Sequence, residues 1–271
     1  MEMAKILFMS VLVFLLQTFF STTMLYAQEK FKFTIGTDDT PGFPYMVGSG
    51  GTFDKKFPGI DVELLNIMAQ ELDLDVSFER VTWEVCLASL RRGRFDAIFP
   101  ASFKEKRLRY GSYPGTKQGK VDEKRSLRVS SYSLYKLKGT PLEWDGKKIT
   151  NLELPIGATR GWAIADDLIN MGVEVELNTN PKYDLSKVIA GRIGAAASLT
   201  RTIDSLIREN PKKYEKIEKV IPPLRSKKYY LMISHQFQHK YPLLTEKIWN
   251  KITEIYNSDI HFDLLKKYKE L

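Results

Sequence analysis

One arginine, Arg107, stands just beyond the last strand of a predicted helix, strand, helix, strand series over residues 59–110. Ligands of open α/β sheets bind at the carboxyl ends of strands, which makes this loop a candidate site. A guanidinium presents paired donors in a planar fork, so Arg107 is suited to hold and orient a carboxylate. The alternative is a solvated charge in a basic run that comprises Lys104, Lys106, Arg107 and Arg109.

Hydrophobic periodicity predicts the elements that position this loop. The first half is predicted as a strand at 31–37, a helix at 60–72, a strand at 76–81, a helix at 83–92 and a strand at 95–99. The second half is predicted as strands at 127–137 and 154–158, a helix at 163–170, a strand at 173–177, a helix at 185–190 and a strand in GRIGAAAS. A strand at 229–234, a helix at about 241–256 and a short last helix follow. The repeated pattern predicts an α/β protein of two similar lobes.

The first 27 residues are typical of a secretory signal peptide, with Lys5 ahead of an apolar run at 6–16 and Ala27 at a small-residue cleavage site. A membrane anchor is the alternative, but the run is shorter than the roughly 20 residues that a spanning helix needs. The only cysteine, Cys86, is too far from the cleavage point to carry a lipid there. We therefore expect cleavage after Ala27 and an exported, soluble mature protein.

The chain carries a net charge of +8, which suits an anionic ligand, an anionic membrane surface or cell-wall polymers. Nucleic acid is not an expected partner, because the basic residues are spread along the chain and are not interleaved with aromatics. One cysteine excludes an intrachain disulfide, and Cys86 is expected to be buried. No metal-ligand spacing or nucleotide-binding glycine motif occurs, so no metal or cofactor is predicted, and we expect three histidines at the surface, His235, His239 and His261.

Three segments carry a family resemblance: FPGIDVELLNIMAQELDLDVSFERVTWEVCLASLRRGRFDAIFP, SFKEKRLRYGSYP and the closing IWNKITEIYNSDIHFDLLKKY. They resemble the family 3 extracellular solute-binding proteins of ABC importers, of the amino-acid-binding type. The resemblance implies the two-lobed α/β fold of type II periplasmic binding proteins, the Venus-flytrap, whose hinge closes around a ligand. By analogy, lobe 1 comprises residues 28–117 and 228–271, and lobe 2 comprises residues 118–227.

The resemblance also implies a location and partners. A periplasmic, monomeric protein would capture a carboxylate-bearing small molecule and deliver it to an ABC transporter permease, with no chemistry and no cofactor. An alternative on the same scaffold is a prephenate or arogenate (cyclohexadienyl) dehydratase, which would need an acid in the cleft. A third interpretation is a sensor whose closed form docks on a membrane receptor.

In lobe 1, the family pattern indicates further ligand-binding positions. Ser102 occupies its hydroxyl position, five residues before the arginine, and either binds the same carboxylate or forms a turn. Asp38 follows the first strand and either faces a ligand's ammonium or side chain or forms a turn. Tyr45 and Phe43 fall where the family has an aromatic wall. Trp83 opens the second helix near the cleft and is either a core residue or an aromatic ligand contact.

In lobe 2, GATRGW replaces a family turn that ends in Gly-Thr and leads into a carboxylate-binding helix N-terminus. The glycine is retained, whereas a tryptophan stands in place of the threonine. The resemblance therefore indicates four candidate ligand contacts in this turn, Thr159, Arg160, Gly161 and Trp162.

The next strand departs further from the family. The family has an Asp inside the turn and another near the strand end that pairs with an α-ammonium, whereas IGAAASLT has Gly194 and Leu199. Ser198 and Thr200 are the nearest polar substitutes, and a neutral hydroxyl cannot replace a carboxylate at an ammonium site. We therefore expect the ligand to be a small carboxylate or a modified amino acid, and not a common free α-amino acid.

Overall fold

The computed structural model of the protein describes residues 30–116 and 119–269. Within these ranges, the residues from 32 onwards belong to one compact unit. The predicted signal peptide at 1–27 lies outside the described residues, so its cleavage stays a prediction. No helix of the described ranges is long and apolar enough to cross a membrane.

The strands of the described residues are Phe31–Asp38 (β1), Gly48–Ser49 (β2), Thr52–Phe53 (β3), Leu74–Val81 (β4), Ala97–Ser102 (β5), Arg128–Leu137 (β6), Glu143–Trp144 (β7), Ile149–Thr150 (β8), Ile156–Thr159 (β9), Val175–Asn178 (β10), Ala195–Leu199 (β11), Ile217–Lys219 (β12) and Arg225–Ile233 (β13). One large sheet has the order β10-β9-β11-β6-β13-β5-β1-β4, and β12 pairs with β6. The pairs β2-β3 and β7-β8 form small separate hairpins.

The helices of the described residues are Ile60–Glu71 (α1), Trp83–Arg91 (α2), Ala163–Asn170 (α3), Pro181–Ile189 (α4), Thr200–Glu209 (α5), His235–Lys240 (α6), Pro242–Tyr256 (α7) and Asp259–Lys269 (α8). Short 3-10 helices occupy Glu105–Arg109 and Glu123–Arg125. The helix predicted at about 241–256 is confirmed as α7, which buries Ile248, Ile252 and Ile255 on one face.

The first half of the sheet places the candidate loop at a strand end. β5 is buried along its whole length and pairs in parallel with β1, where Ile35 aligns with Ala97. α1 buries Leu64 and Met68 on the face that the spacing predicts. The predicted strands and helices of this half are confirmed with bounds shifted by a few residues. Because β5 ends at Ser102, the candidate loop leaves the carboxyl end of a buried strand.

The second half repeats this arrangement and adds one helix. β9 pairs in parallel with β10 and with β11, and the helix predicted at 163–170 is confirmed. α4 begins four residues before its predicted start because the side chain of Asn180 accepts a hydrogen bond from the backbone N–H of Lys182, and proline suits the first turn. α5, which directly follows β11 and buries Ile203 and Leu206, is absent from the prediction.

β6 and β13 connect the two halves of the sheet. They pair antiparallel with each other, from Arg225 opposite Tyr132 to Tyr229 opposite Arg128. β6 also pairs with β11, and β13 also pairs with β5. The predicted lobe boundaries at 117–118 and 227–228 stay a prediction, and the second of them falls within β13.

The expectations for single residues have different outcomes. Cys86 is fully buried in α2, as predicted. The surface prediction is wrong for His261, whose side chain is buried because its ring packs against that of Tyr256, with the ring centroids 4.5 Å apart. His235 and His239 are exposed, as predicted.

A buried carboxyl group in the second half, that of Asp184, makes stability depend on pH. Asp184 is 0% exposed, and its Oδ1 accepts a hydrogen bond from Nδ2 of Asn178 at 2.6 Å, while Oδ2 has no partner among the described residues. Burial raises the pKa of Asp184 from 3.8 to about 7. The folded protein therefore keeps this proton where an unfolded chain releases it, and stability decreases as the pH rises from 3.8 to about 7.

We expect Asp184→Asn to raise the free energy of unfolding by about 4 kcal/mol near pH 8 and to change it little near pH 4, because the amide has no charge to bury. Urea denaturation at the two pH values measures the difference. Asp75→Asn, at an exposed position of β4, is the matched control and should alter neither value. An equal effect of Asp184→Asn at both pH values would contradict this account.

Candidate functional site

A cavity of about 50 Å³ lies where strand ends from both halves of the sheet meet. Its walls include Asp38 at the end of β1, Ser102 at the end of β5 and Leu199 at the end of β11. Trp162, which immediately precedes α3, lines it as well. The carboxyl ends of strands thus form the walls, as expected for a ligand site in an α/β protein.

Arg107 is the most informative group in this wall. The residue is 4% exposed, and its Nη1 donates hydrogen bonds to the carbonyl and the hydroxyl of Ser102 at 2.8 and 3.0 Å. Its Nη2 donates to the carbonyl of Gly161 at 2.9 Å. All three acceptors are neutral, and no ion pair of the described residues includes Arg107. A buried cation without an acidic partner is costly, which favours a site that is completed by an anion.

The other basic residues of the loop make different contacts. Nζ of Lys104 lies 2.5 Å from Oδ1 of Asp167, and Nζ of Lys106 lies 2.6 Å from Oδ1 of Asp166. These lysines therefore pair with the acidic residues of α3, whereas Arg107 lines the cavity. Burial excludes the interpretation of Arg107 as a solvated charge.

A hydrogen bond between two predicted site residues crosses the cavity region. Nε1 of Trp162 donates to Oδ2 of Asp38 at 3.3 Å, and the backbone N–H of Thr40 donates to Oδ1 at 2.8 Å. Asp38 is 7% exposed, and burial raises the pKa of its carboxyl group above the ordinary value. Trp162 belongs to the predicted lobe 2 and Asp38 to the predicted lobe 1, so this bond joins the two predicted lobes.

A second group of charges surrounds the ring of Tyr45. Cζ of Arg128 lies 4.2 Å from the ring centroid, and Cζ of Arg201 lies 4.8 Å from it. Arg128 is buried, and it donates from Nε to Oδ2 of Asp61 at 2.8 Å and from Nη1 to the hydroxyl of Ser130. Although burial acts to lower it, the Asp61 carboxylate raises the pKa of Arg128 above its ordinary value. Arg128 is thus neutralised by the protein itself.

The structure brings half of the predicted ligand-binding residues together around the cavity, namely Asp38, Tyr45, Trp83, Ser102, Arg107 and Trp162. Gly161 adjoins them through the hydrogen bond from Arg107. Three others lie outside the cavity wall: Phe43 packs near Tyr268 with ring centroids 6.4 Å apart, Thr159 is buried in β9, and Arg160 is exposed. That any of these residues binds a ligand stays a prediction.

Ser198 and Thr200 also lie outside the cavity wall. Ser198 is 0% exposed and stands opposite Ser133 in the pairing of β11 with β6. The hydroxyl of Thr200 donates to the carbonyl of Ser131 at 3.0 Å and is 2.8 Å from the hydroxyl of Ser133. The Thr200 hydroxyl is therefore bonded within the protein, and its predicted role in replacing the family's aspartate stays untested.

The cavity wall contains charged residues that the sequence prediction lacks, Arg128 and Arg201. Arg201 follows the end of β11 by two residues, so the strand-end argument used for Arg107 applies to it as well. Arg128 begins β6 and pairs with an acidic residue far away in the sequence, for which the chain offers no local signal. Within the described residues, no group of three or more His, Cys, Asp or Glu side chains could hold a metal ion.

Residues 33–269 match the family described as bacterial extracellular solute-binding proteins, family 3. The chain belongs to this family. The match extends from β1 to the end of α8 and so includes every residue of the cavity wall. No curated protein sequence is significantly similar to this family 3 protein.

Solved structures show the same fold. A histidine kinase sensor domain with similarity to periplasmic binding proteins has a TM-score of 0.71 and 16% identity, over 89% of this chain and 97% of its own. The arginine-, lysine-, histidine-binding protein ArtJ from Geobacillus stearothermophilus has a TM-score of 0.68 and 16% identity, over 88% and 94%. An ancestral amino acid-binding protein, a precursor of cyclohexadienyl dehydratase, has a TM-score of 0.65 and 15% identity, over 88% and 95%. The predicted two-lobed α/β fold of periplasmic binding proteins is confirmed.

Proposed function

We propose that this family 3 protein is an exported solute-binding protein that captures a small carboxylate in the cavity beside Arg107 and delivers it to an ABC importer. One observation carries the proposal: a buried guanidinium lines the cavity and, among the described residues, is bonded only to neutral acceptors. A carboxylate ligand would supply the missing negative charge and accept two parallel hydrogen bonds from the planar fork.

The contacts between the predicted lobes support capture by closure. Arg107 in lobe 1 donates to Gly161 in lobe 2, and Asp38 in lobe 1 accepts from Trp162 in lobe 2. Ion pairs of Lys104 with α3 add to these contacts beside the cavity. A ligand held between the lobes would add bonds to both and shift the population towards the closed form.

Relatives support the class of ligand. The similar structure from Geobacillus stearothermophilus is an arginine-, lysine-, histidine-binding protein, and another is the substrate-binding protein of an amino acid ABC transporter. Because every amino acid carries a carboxylate, Arg107 in the cavity wall is suited to bind the same general class of solute. Membership of the family supports delivery to a permease.

A thermal-shift screen of the purified protein against amino acids and simple organic acids tests the proposal. At least one carboxylate should raise the melting temperature, because a ligand at about 100 times its Kd stabilises the native state by about 2.7 kcal/mol. Matched amides and alcohols, which lack the negative charge, should give no shift. A screen in which neutral compounds stabilise the protein and no carboxylate does so would refute carboxylate capture.

A dehydratase is the second candidate, and Asp38 is the observation that favours it. Burial raises the pKa of this carboxyl group, and it lines the cavity, as a proton donor in a cleft must. We nevertheless expect binding without turnover, since Asp38 already accepts hydrogen bonds from Thr40 and Trp162. Incubation with prephenate and spectrophotometric detection of product decides between the two functions, with Asp38→Asn as the control for any activity found.

The membrane partner is the remaining part of the proposal. Similarity to a histidine kinase sensor domain keeps a signalling partner as the alternative to a permease. Uptake of the identified ligand by cells should fall when this protein is deleted and recover when it is restored. Unchanged uptake together with lost ligand-dependent gene expression would favour a receptor.

A further inference from the structure

We propose that the cavity has a second anion-binding subsite, formed by Arg201 and the N-terminus of α5, so that the preferred solute carries two carboxylates. The inference rests on the proposed binding function and specifies the ligand of the same cavity. Three residues at the start of α5 line the cavity wall, namely Leu199, Arg201 and Thr202. Arg107 contributes the first anion-binding group from the opposite predicted lobe.

The charges of the wall are unbalanced. Three arginines line the cavity, whereas Asp38 is the acidic residue among the described residues of the wall. Asp61 neutralises one guanidinium, that of Arg128, through the ion pair at 2.8 Å. Arg107 and Arg201 have no ion-pair partner within the described ranges. Arg107 is buried whereas Arg201 is exposed, and a solute with two negative charges would pair with both guanidinium groups.

The N-terminus of α5 adds to this positive potential. The first backbone N–H groups of a helix have no intrahelical acceptor and carry the positive end of the helix dipole. In α5 the N-cap residue Leu199 gives no side-chain cap, and the first turn contains no acidic residue. The first turn instead contains Arg201. This strand end therefore favours an anion over an ammonium group.

A second observation indicates a ligand with several acceptor atoms. Trp83 lines the cavity and is 5% exposed, yet its Nε1–H has no acceptor among the described residues. Cζ of Arg107 lies 5.2 Å from the ring of Trp83, so this indole belongs to the first anion-binding group. Buried donors normally have acceptors, and the four oxygens of a dicarboxylate would provide them for the indole, both arginines and the helix N-terminus.

Arg201 is exposed, and its guanidinium lies beside the ring of Tyr45. The guanidinium carbon is 4.8 Å from the ring centroid, a stacking distance that leaves the N–H donors at the edges of the plane free to bind oxygen. The cavity of about 50 Å³ is small, which favours short solutes. Dicarboxylates of about four or five carbons, with or without an ammonium group, are the chemical class that this arrangement favours.

Calorimetric titration of the purified protein tests the subsite with matched pairs of solutes. Succinate is compared with butanoate, and glutamate with glutamine, so that each pair differs in one carboxylate. We expect at least one dicarboxylate to bind about 10-fold or more tighter than its partner. Arg201→Gln should remove most of that difference and leave the affinity for the monocarboxylate within about twofold.

Arg208→Gln is the matched control, since this arginine lies on the same helix and near the ring of Phe43, with Cζ 5.3 Å from the ring centroid, but outside the cavity wall. It should leave both affinities unchanged. Equal affinities for both members of each pair, or an equal loss for both in Arg201→Gln, would overturn the second subsite while carboxylate capture stands. If no carboxylate of either kind binds, the proposed function fails as well.

Discussion

Arg107→Gln is expected to lower the affinity of the protein for its carboxylate ligand by about 30-fold or more, because truncating one partner of a buried charge pair costs about 2–5 kcal/mol. The guanidinium is 4% exposed and lines the cavity, so the ligand's charge would have no bulk water to replace the lost partner. Calorimetric titration with the best ligand of the thermal-shift screen measures the loss. Arg107→Lys, which keeps the charge but not the planar fork, should recover only part of it.

Stability of the ligand-free protein separates a binding role from a structural one. Arg107→Gln removes three hydrogen bonds but also removes a buried cation that no carboxylate of the described residues neutralises. These effects oppose each other, so we expect the free energy of unfolding to change by less than about 1 kcal/mol. Lys106→Gln, at an exposed ion pair of the same loop, is the matched control and should leave ligand affinity unchanged. A large loss of stability with unchanged affinity would show that Arg107 serves the fold.

The sequence predicts the candidate site best where local patterns determine the structure. The position of Arg107 follows from a buried strand that ends at Ser102 and from a short connection, both of which can be read from neighbouring residues. Asp38 and Trp83 lie at the ends of elements whose bounds the hydrophobic pattern also predicts. The cavity therefore contains the first-lobe residues that strand-end reasoning and the family pattern indicate, with the exception of Phe43.

Contacts between distant parts of the chain explain why the sequence does not predict the role of Arg128. Arg128 and Asp61 are separated by 67 positions, and only the packing of β6 near α1 brings them together. α5 is different, because it buries Ile203 and Leu206 at helical spacing, a local signal that the prediction missed. The prediction consequently considers the neutral hydroxyls of Ser198 and Thr200 at the end of β11 and omits Arg201 and the helix N-terminus.

The helix and the arginine that the prediction lacks, α5 and Arg201, change the expected ligand. From the residues alone, the absence of the family's aspartate at Leu199 indicates only that an ammonium group would lack a partner. With α5 in place, the same position becomes the N-cap of a helix whose first turn is basic. Under the proposed second subsite, leucine at the position where the family has an acid would reverse the preferred charge at this end of the cavity.

Asp61→Asn is expected to lower the free energy of unfolding by about 3–5 kcal/mol, because it leaves the buried guanidinium of Arg128 without its acidic partner. Asp61 and Arg128 are both nearly fully buried, and their ion pair at 2.8 Å joins α1 to β6. Arg128 stays charged in the variant, because a guanidinium remains protonated over the whole pH range in which proteins fold. Urea denaturation of the ligand-free protein measures the loss.

Two comparisons test the ion-pair explanation of this loss. Glu71→Gln removes an acid of the same helix whose pair with Lys251 is partly exposed, and it should cost less than about 1 kcal/mol. The double variant Asp61→Asn with Arg128→Met removes the unpaired guanidinium and fills its place with an apolar side chain. It should therefore recover most of the stability that the single variant loses. If the double variant is instead less stable than Asp61→Asn alone, the loss arises from packing at the start of α1 and not from an unpaired buried charge.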